Sequence, residues 1–155
     1  MQSTEDTSKL ANSRYSFEGS LHHAYALYHA QRECYREALE HIEIACSVVV
    51  ASTYAEDRPW TAFPFADAAR IHRRLGNTDQ AVQYAQTALQ AALSSYPPTH
   101  PRTMQFWWLL SEVYESAGMV GENRRLLDQL KRAFESLELL DHPDYLRALK
   151  MLHSL

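Results

Sequence analysis

Residues 100–118 read HPRTMQFWWLLSEVYESAG, and the opening dipeptide returns 42 residues later at His142-Pro143. Pro59 stands the same distance before Pro101, and Gly76 stands the same distance before Gly118. A single recurring pair is easily met by chance. Several columns sharing one register mark an internal repeat, and a repeat governs the whole fold.

Each period holds two helical patterns separated by a short turn. The first helices are expected at about 17–31, 61–75 and 101–117, and their partners at about 35–53, 78–95 and 120–139. Pro101 and Pro143 suit the first helical turn, where a missing N–H removes no bond, and Pro64 suits it for the same reason. Gly76 and Gly118 suit the left-handed position that ends a helix. Residues 143–153 form one more helix, half of a fourth unit. A hairpin of this size cannot bury its apolar face alone, so consecutive units must stack.

The residues that recur also resemble a known family. Trp107, Leu110, Ser111 and Tyr114 are similar to the tetratricopeptide signature W-x2-L-G-x2-Y, with Ser for the small Gly. The corresponding sets are His22, Tyr25, Ala26, His29 and Phe65, Ala68, Ala69, His72. In the second helices the packing columns fall on Ala38, Ile42, Ala45 and on Ala81, Ala85, Ala88, while the third unit carries Asn123 and Leu130 where the others have Ala. The 42-residue period and the Pro97–Pro101 loop resemble the longer repeat of kinesin light chains. The resemblance implies an all-α, right-handed solenoid of about three helix-turn-helix units, at 17–58, 59–100 and 101–142, plus a terminal helix 143–155. Residues 1–15 are expected to be a flexible polar lead-in to a domain spanning 16–155. A HEAT-type repeat has an overlapping period, but the small-residue columns and the Leu75-Gly76 ending favour the tetratricopeptide pattern.

Composition agrees with this class. Of 155 residues, 46% are apolar and only four are Gly and six Pro, which suits one helical domain with a real core. Fifteen basic against 19 acidic side chains give a net charge of −4, so no global positive field exists to hold nucleic acid. The longest apolar run, Ile44 to Ser52, is too short to span a bilayer. The amino-terminal MQSTEDTSKLANSR lacks the basic-then-apolar order of a signal peptide. Cys34 and Cys46, too few for a disulfide framework, are expected to be reduced, helix-packed thiols of a cytoplasmic protein.

In the resembled family the first helix of each unit lines a concave groove that receives a peptide or partner helix. Carried over by register, the outward positions include Ser20, His23, Leu27 and Ala30; Phe63, Ala66, Arg70, Arg73 and Arg74; Gln105, Trp108, Glu112 and Glu115; and Arg147 with Lys150. The arginines could clamp a carboxylate or phosphate. They could equally pair with Glu112 and Glu115 on the adjacent helix. Trp107 and Trp108 cannot both enter one seam, so with Trp107 in the core Trp108 either anchors a partner or is covered by the next unit's first helix.

No catalytic residue, cofactor or metal ion is expected. His22, His23 and His29 share a helix without a chelating i, i+4 pair or a carboxylate motif. His29 and His72 occupy the Tyr114 column and read as packing residues, whereas His100 and His142 read as caps or loop residues. No phosphate loop or nucleophile elbow is present. The resulting expectation is an interaction scaffold for a protein or peptide. The rival is a homodimer formed through the last helix, where Leu146, Leu149, Met151, Leu152 and Leu155 exceed what one packing face needs.

Overall fold

The computed structural model describes residues 3–51 and 61–155, with side chains from Phe17 onward. Seven helices lie among them: α1 (Ser3–Gln31), α2 (Tyr35–Ala51), α3 (Ala62–Arg74), α4 (Thr78–Ser95), α5 (Pro101–Ser116), α6 (Val120–Glu135) and α7 (Pro143–Ser154). No strand occurs among the described residues. Consecutive helices pack as antiparallel hairpins α1–α2, α3–α4 and α5–α6, and each hairpin stacks on the next through α2–α3, α4–α5 and α6–α7. The architecture is the expected right-handed solenoid of three units and a terminal helix. Pro59, the first member of the proline column, and the expected end of α2 at Thr53 lie outside the described residues.

Local chemistry sets the helix ends. Gly76 and Gly118 take φ of 76° and 69°. Behind them Asn77 N–H donates to the His72 carbonyl and Met119 N–H to the Tyr114 carbonyl, both at 2.9 Å. These reversed bonds satisfy carbonyls that the helix leaves open. The first unit makes the same turn without glycine, with Glu33 at φ 61° and Cys34 N–H donating to the His29 carbonyl at 3.0 Å. Pro101 and Pro143 occupy the first turns of α5 and α7, each preceded by a capping histidine. The His100 ring accepts from Arg102 N–H at 3.1 Å, and the His142 ring accepts from Asp144 N–H at 3.2 Å.

Two boundaries differ from the sequence reading. The backbone of α1 begins at Ser3 rather than near Phe17, because no Gly or Pro interrupts Ser3 to Glu18 and Glu5 and Asp6 suit a helix start. At the other end α6 stops at Glu135, well short of Leu139. Glu138 adopts φ 56° and Leu139 N–H turns back to the Phe134 carbonyl at 3.1 Å.

Small residues bring the helices together. Ala26, Ala69 and Ser111 on the first helices, and Ala38, Ala81 and Asn123 on the second, are all essentially inaccessible. At Gly19 a Cβ would come within 2.9 Å of Val48 Cγ1, so α1 and α2 approach closely there. The third hairpin departs from the others as its sequence suggests. Leu127 and Leu130 fill the seam, and α5 meets α6 less extensively than α1 meets α2 or α3 meets α4. The Ser111 hydroxyl donates to Asn123 Oδ1 at 2.8 Å, while Asn123 Nδ2 has no partner. Large buried chains such as Ile42, Leu127, Leu130 and Phe134 each contribute about 1.5–3 kcal/mol through removal from water.

Candidate partner-binding groove

The first helices of successive units touch each other, α1 against α3 and α3 against α5, whereas the second helices α2, α4 and α6 make no comparable contact. The first helices therefore line the inner side of the stack. Polar bridges pin them. His23 Nε2 of α1 lies 2.8 Å from Asp67 Oδ2 of α3, and the other Asp67 oxygen accepts from Arg70 at 2.7 Å. One turn further along α3, Arg73 donates to Glu112 of α5 at 3.2 Å.

A separate set of contacts decides between the two readings of Trp108. Trp108 is buried, its Nε1–H donates to Asp144 Oδ1 at 2.8 Å, and the Arg147 guanidinium sits 4.1 Å from the indole centroid. The terminal helix α7 covers the indole, so the alternative of closure by the next unit holds and Trp108 is not available as an exposed groove anchor. Arg147 is committed to that closure. Ala66 is likewise fully buried instead of lining the groove. Trp107 is core, as expected, with its Nε1–H on the Pro98 carbonyl at 3.1 Å.

Of the remaining candidates, Arg73 pairs with Glu112 as one reading allowed, whereas Glu115 makes no such pair among the described residues. Arg70 is held by Asp67 yet keeps 46% of its side chain exposed. Leu27, Arg74, Glu115 and Lys150 are exposed, and Phe63 is at 36%, its ring edge-on to Phe106. By helical spacing Phe63, Arg70 and Arg74 share one face of α3. Sequence reasoning missed Asp67, the hub between α1 and α3. The available signal was a carboxylate three residues before Arg70.

The histidines serve packing and bridging. His29 and Tyr25 stack on His41, and His22 Nδ1 lies 2.9 Å from His41 Nδ1, so one ring must donate and the other accept. In the second unit His72 stacks on Tyr84 with 5.2 Å between centroids and bonds Asn77 at 3.2 Å. Burial pushes the His72 ring below its ordinary pKa, partly opposed by Glu43, and leaves Nε2 without a partner. Among the described residues no His, Cys, Asp and Glu cluster is placed to hold a metal ion. Burial, reinforced by Asp67 and Glu43, pushes the Cys46 thiol up to about 12, which makes it unreactive. Cys34 is half-buried in the α1–α2 turn, its thiol facing the Arg32 carbonyl at 3.5 Å, rather than packed within a helix. No described helix is long and apolar enough to cross a membrane.

The sequence profile of the tetratricopeptide repeat family matches residues 17–94, half of the chain. The chain belongs to that family. Two crystal structures of the TPR-like repeats of a Podosopora anserina kinesin light chain share the fold. One superposes with TM-score 0.75 at 20% identity over 86% of this chain, the other with TM-score 0.63 at 21% identity over 91%. This chain spans 63% and 64% of their respective lengths, and at such identity the likeness speaks for the fold alone. No curated protein matches the sequence significantly. Tetratricopeptide repeats generally mediate protein–protein interaction.

Proposed function

We propose that the protein is a non-enzymatic scaffold that receives an extended peptide or a short helix of mixed charge along the inner face of its first helices. The observation that carries this reading is the Phe63, Arg70 and Arg74 stripe of α3. It combines an exposed aromatic ring with two accessible guanidinium groups, and exposed Leu27, Glu115 and Lys150 lie on the neighbouring first helices. Because Arg73 pairs with Glu112 and Arg70 with Asp67, the cations that face a ligand are Arg74 at the centre, the 46% exposed side chain of Arg70 beside it, and Lys150 on the last helix. An acidic side chain next to an apolar one complements the centre, and a basic side chain complements Glu115. Trp108 and Arg147 act here as structural closure, and ligand contact is assigned to the other positions. A cytoplasmic location belongs to the same reading.

The test is selection of phage-displayed dodecapeptides on the immobilised full chain. Selected peptides should lose binding to an Arg70→Glu, Arg74→Glu variant and keep it for an outer-face control, Arg124→Glu, Arg125→Glu. Equal loss in both variants, or no enriched peptide at all, sinks the groove assignment.

A further inference from the structure

The second and third units show how the corresponding face of a first helix is covered. Pro64, Ala68 and Ile71 of α3 are buried, as are Phe106, Leu110 and Val113 of α5, because the second helix of the preceding unit packs over them. The same columns of α1 hold Leu21, Tyr25 and Tyr28, with Phe17 one turn earlier. These side chains are 43%, 48%, 53% and 71% exposed. Spacings of four, four and three residues place them on one face, away from His23 and Leu27 of the groove. The four large side chains form one continuous exposed apolar row.

We propose that this face binds the same face of a second copy, with the two α1 helices antiparallel about a two-fold axis level with Tyr25. Charge placement selects this occupant. Glu18 and Arg32, both exposed, lie seven residues on either side of Tyr25. Antiparallel pairing therefore sets each Glu18 against Arg32 of the second copy, twice per dimer, as an isologous interface requires. Within one chain the two lie about 21 Å apart along the helix and cannot meet. Arg32 is already laid along the face, donating to the Tyr28 hydroxyl at 3.2 Å with its guanidinium 5.5 Å from that ring's centroid. At ~150–250 Å² for a whole aromatic side chain, the four residues offer roughly 400 Å² per copy. That area sits at the low end for specific interfaces and implies a concentration-dependent dimer rather than an obligate one. The carboxy-terminal route has less to offer, since Tyr145 and Ala148 are buried, Leu149, Met151, Leu152 and Leu155 pack against the core, and of the large apolar side chains of α7 Leu146 alone is largely exposed.

Sedimentation velocity on the full chain from about 1 to 200 µM reads the equilibrium, a range suited to a weak interface. The wild type should pass from monomer to dimer, and Leu21→Lys should remain monomeric throughout. Glu18→Arg or Arg32→Glu alone should weaken association about tenfold or more, through two repulsive contacts per dimer, and the combined exchange should restore it. All these positions are exposed, so circular dichroism should stay unchanged. A wild type that is monomeric at 200 µM overturns the proposal. So does a dimer that survives Leu21→Lys, or one that Leu146→Lys dissolves while the α1 variants leave it intact. The groove variants Arg70→Glu and Arg74→Glu should leave the dimer untouched, which separates this proposal from the peptide-binding one.

Discussion

Replacing Ser111 with Ala removes the hydrogen bond that the Asn123 side chain makes inside the third hairpin. Asn123 is fully buried, its Nδ2 already lacks a partner, and its Oδ1 accepts from the Ser111 hydroxyl at 2.8 Å. The substitution therefore strands a whole amide away from water. A lost bond plus a desolvated acceptor costs about 2–3 kcal/mol. At ~2–4 °C per kcal/mol for a chain of this length, the melting temperature should fall by roughly 5–10 °C. Asn123→Ala should cost about 1–2 kcal/mol, since the Ser111 hydroxyl it leaves can turn to a carbonyl of its own helix. The double variant carries alanine at both columns, as the first two units do at Ala26, Ala38, Ala69 and Ala81. It should be no less stable than Ser111→Ala alone, giving a coupling of about 1–2 kcal/mol. Urea denaturation followed by far-ultraviolet circular dichroism measures all four proteins. Strict additivity, or a Ser111→Ala variant within about 0.5 kcal/mol of wild type, would refute the view that this pair is one buried polar unit.

Gly76→Ala should destabilise by about 1–2 kcal/mol although open space surrounds it, because its φ of 76° is strained for any Cβ, whereas Gly121→Ala, in helical backbone with equal space, should stabilise by about 0.5–1 kcal/mol. Opposite signs in thermal melts are the check. His72 has its folded pKa below the ordinary 6.5, so the unfolded chain takes up that proton first; stability is complete above 6.5 and declines as pH falls from there towards the folded value. His72→Gln should show a shallower decline in melting temperature across that window. A chromogenic disulfide reagent at pH 8 should label Cys34 quickly and Cys46 only after denaturation, since the Cys46 thiol is buried and its pKa raised to about 12. Two equally fast thiols in the native protein would contradict the burial argument.

The resembled family was legible at Trp107, Leu110, Ser111 and Tyr114, and the groove list at Arg70, Arg73 and Arg74 was read from the same register. Side-chain partners escaped that register. Trp108 looked like an anchor because its own helix leaves it facing away from Trp107, and only Asp144 and Arg147, from a helix begun 35 residues later, decide that it is covered. Glu33 was invisible as a helix terminator because it is not glycine. Its left-handed conformation is imposed by the hairpin it closes.

The order of helices, their punctuation by Pro101, Pro143, Gly76, Gly118 and the capping histidines, and the small columns at Ala26, Ala69, Ala38 and Ala81 were set by sequence alone. Each depends on backbone conformation or on side-chain size, properties a residue carries wherever it stands. Tertiary structure alone decided that Asp67 ties α1 to α3, that Arg73 is neutralised by Glu112, and that the row from Phe17 to Tyr28 stays uncovered. Those outcomes depend on which side chain from a distant helix arrives within hydrogen-bond reach. A rotation of about 100° per residue makes that arrival sensitive to a single step of register.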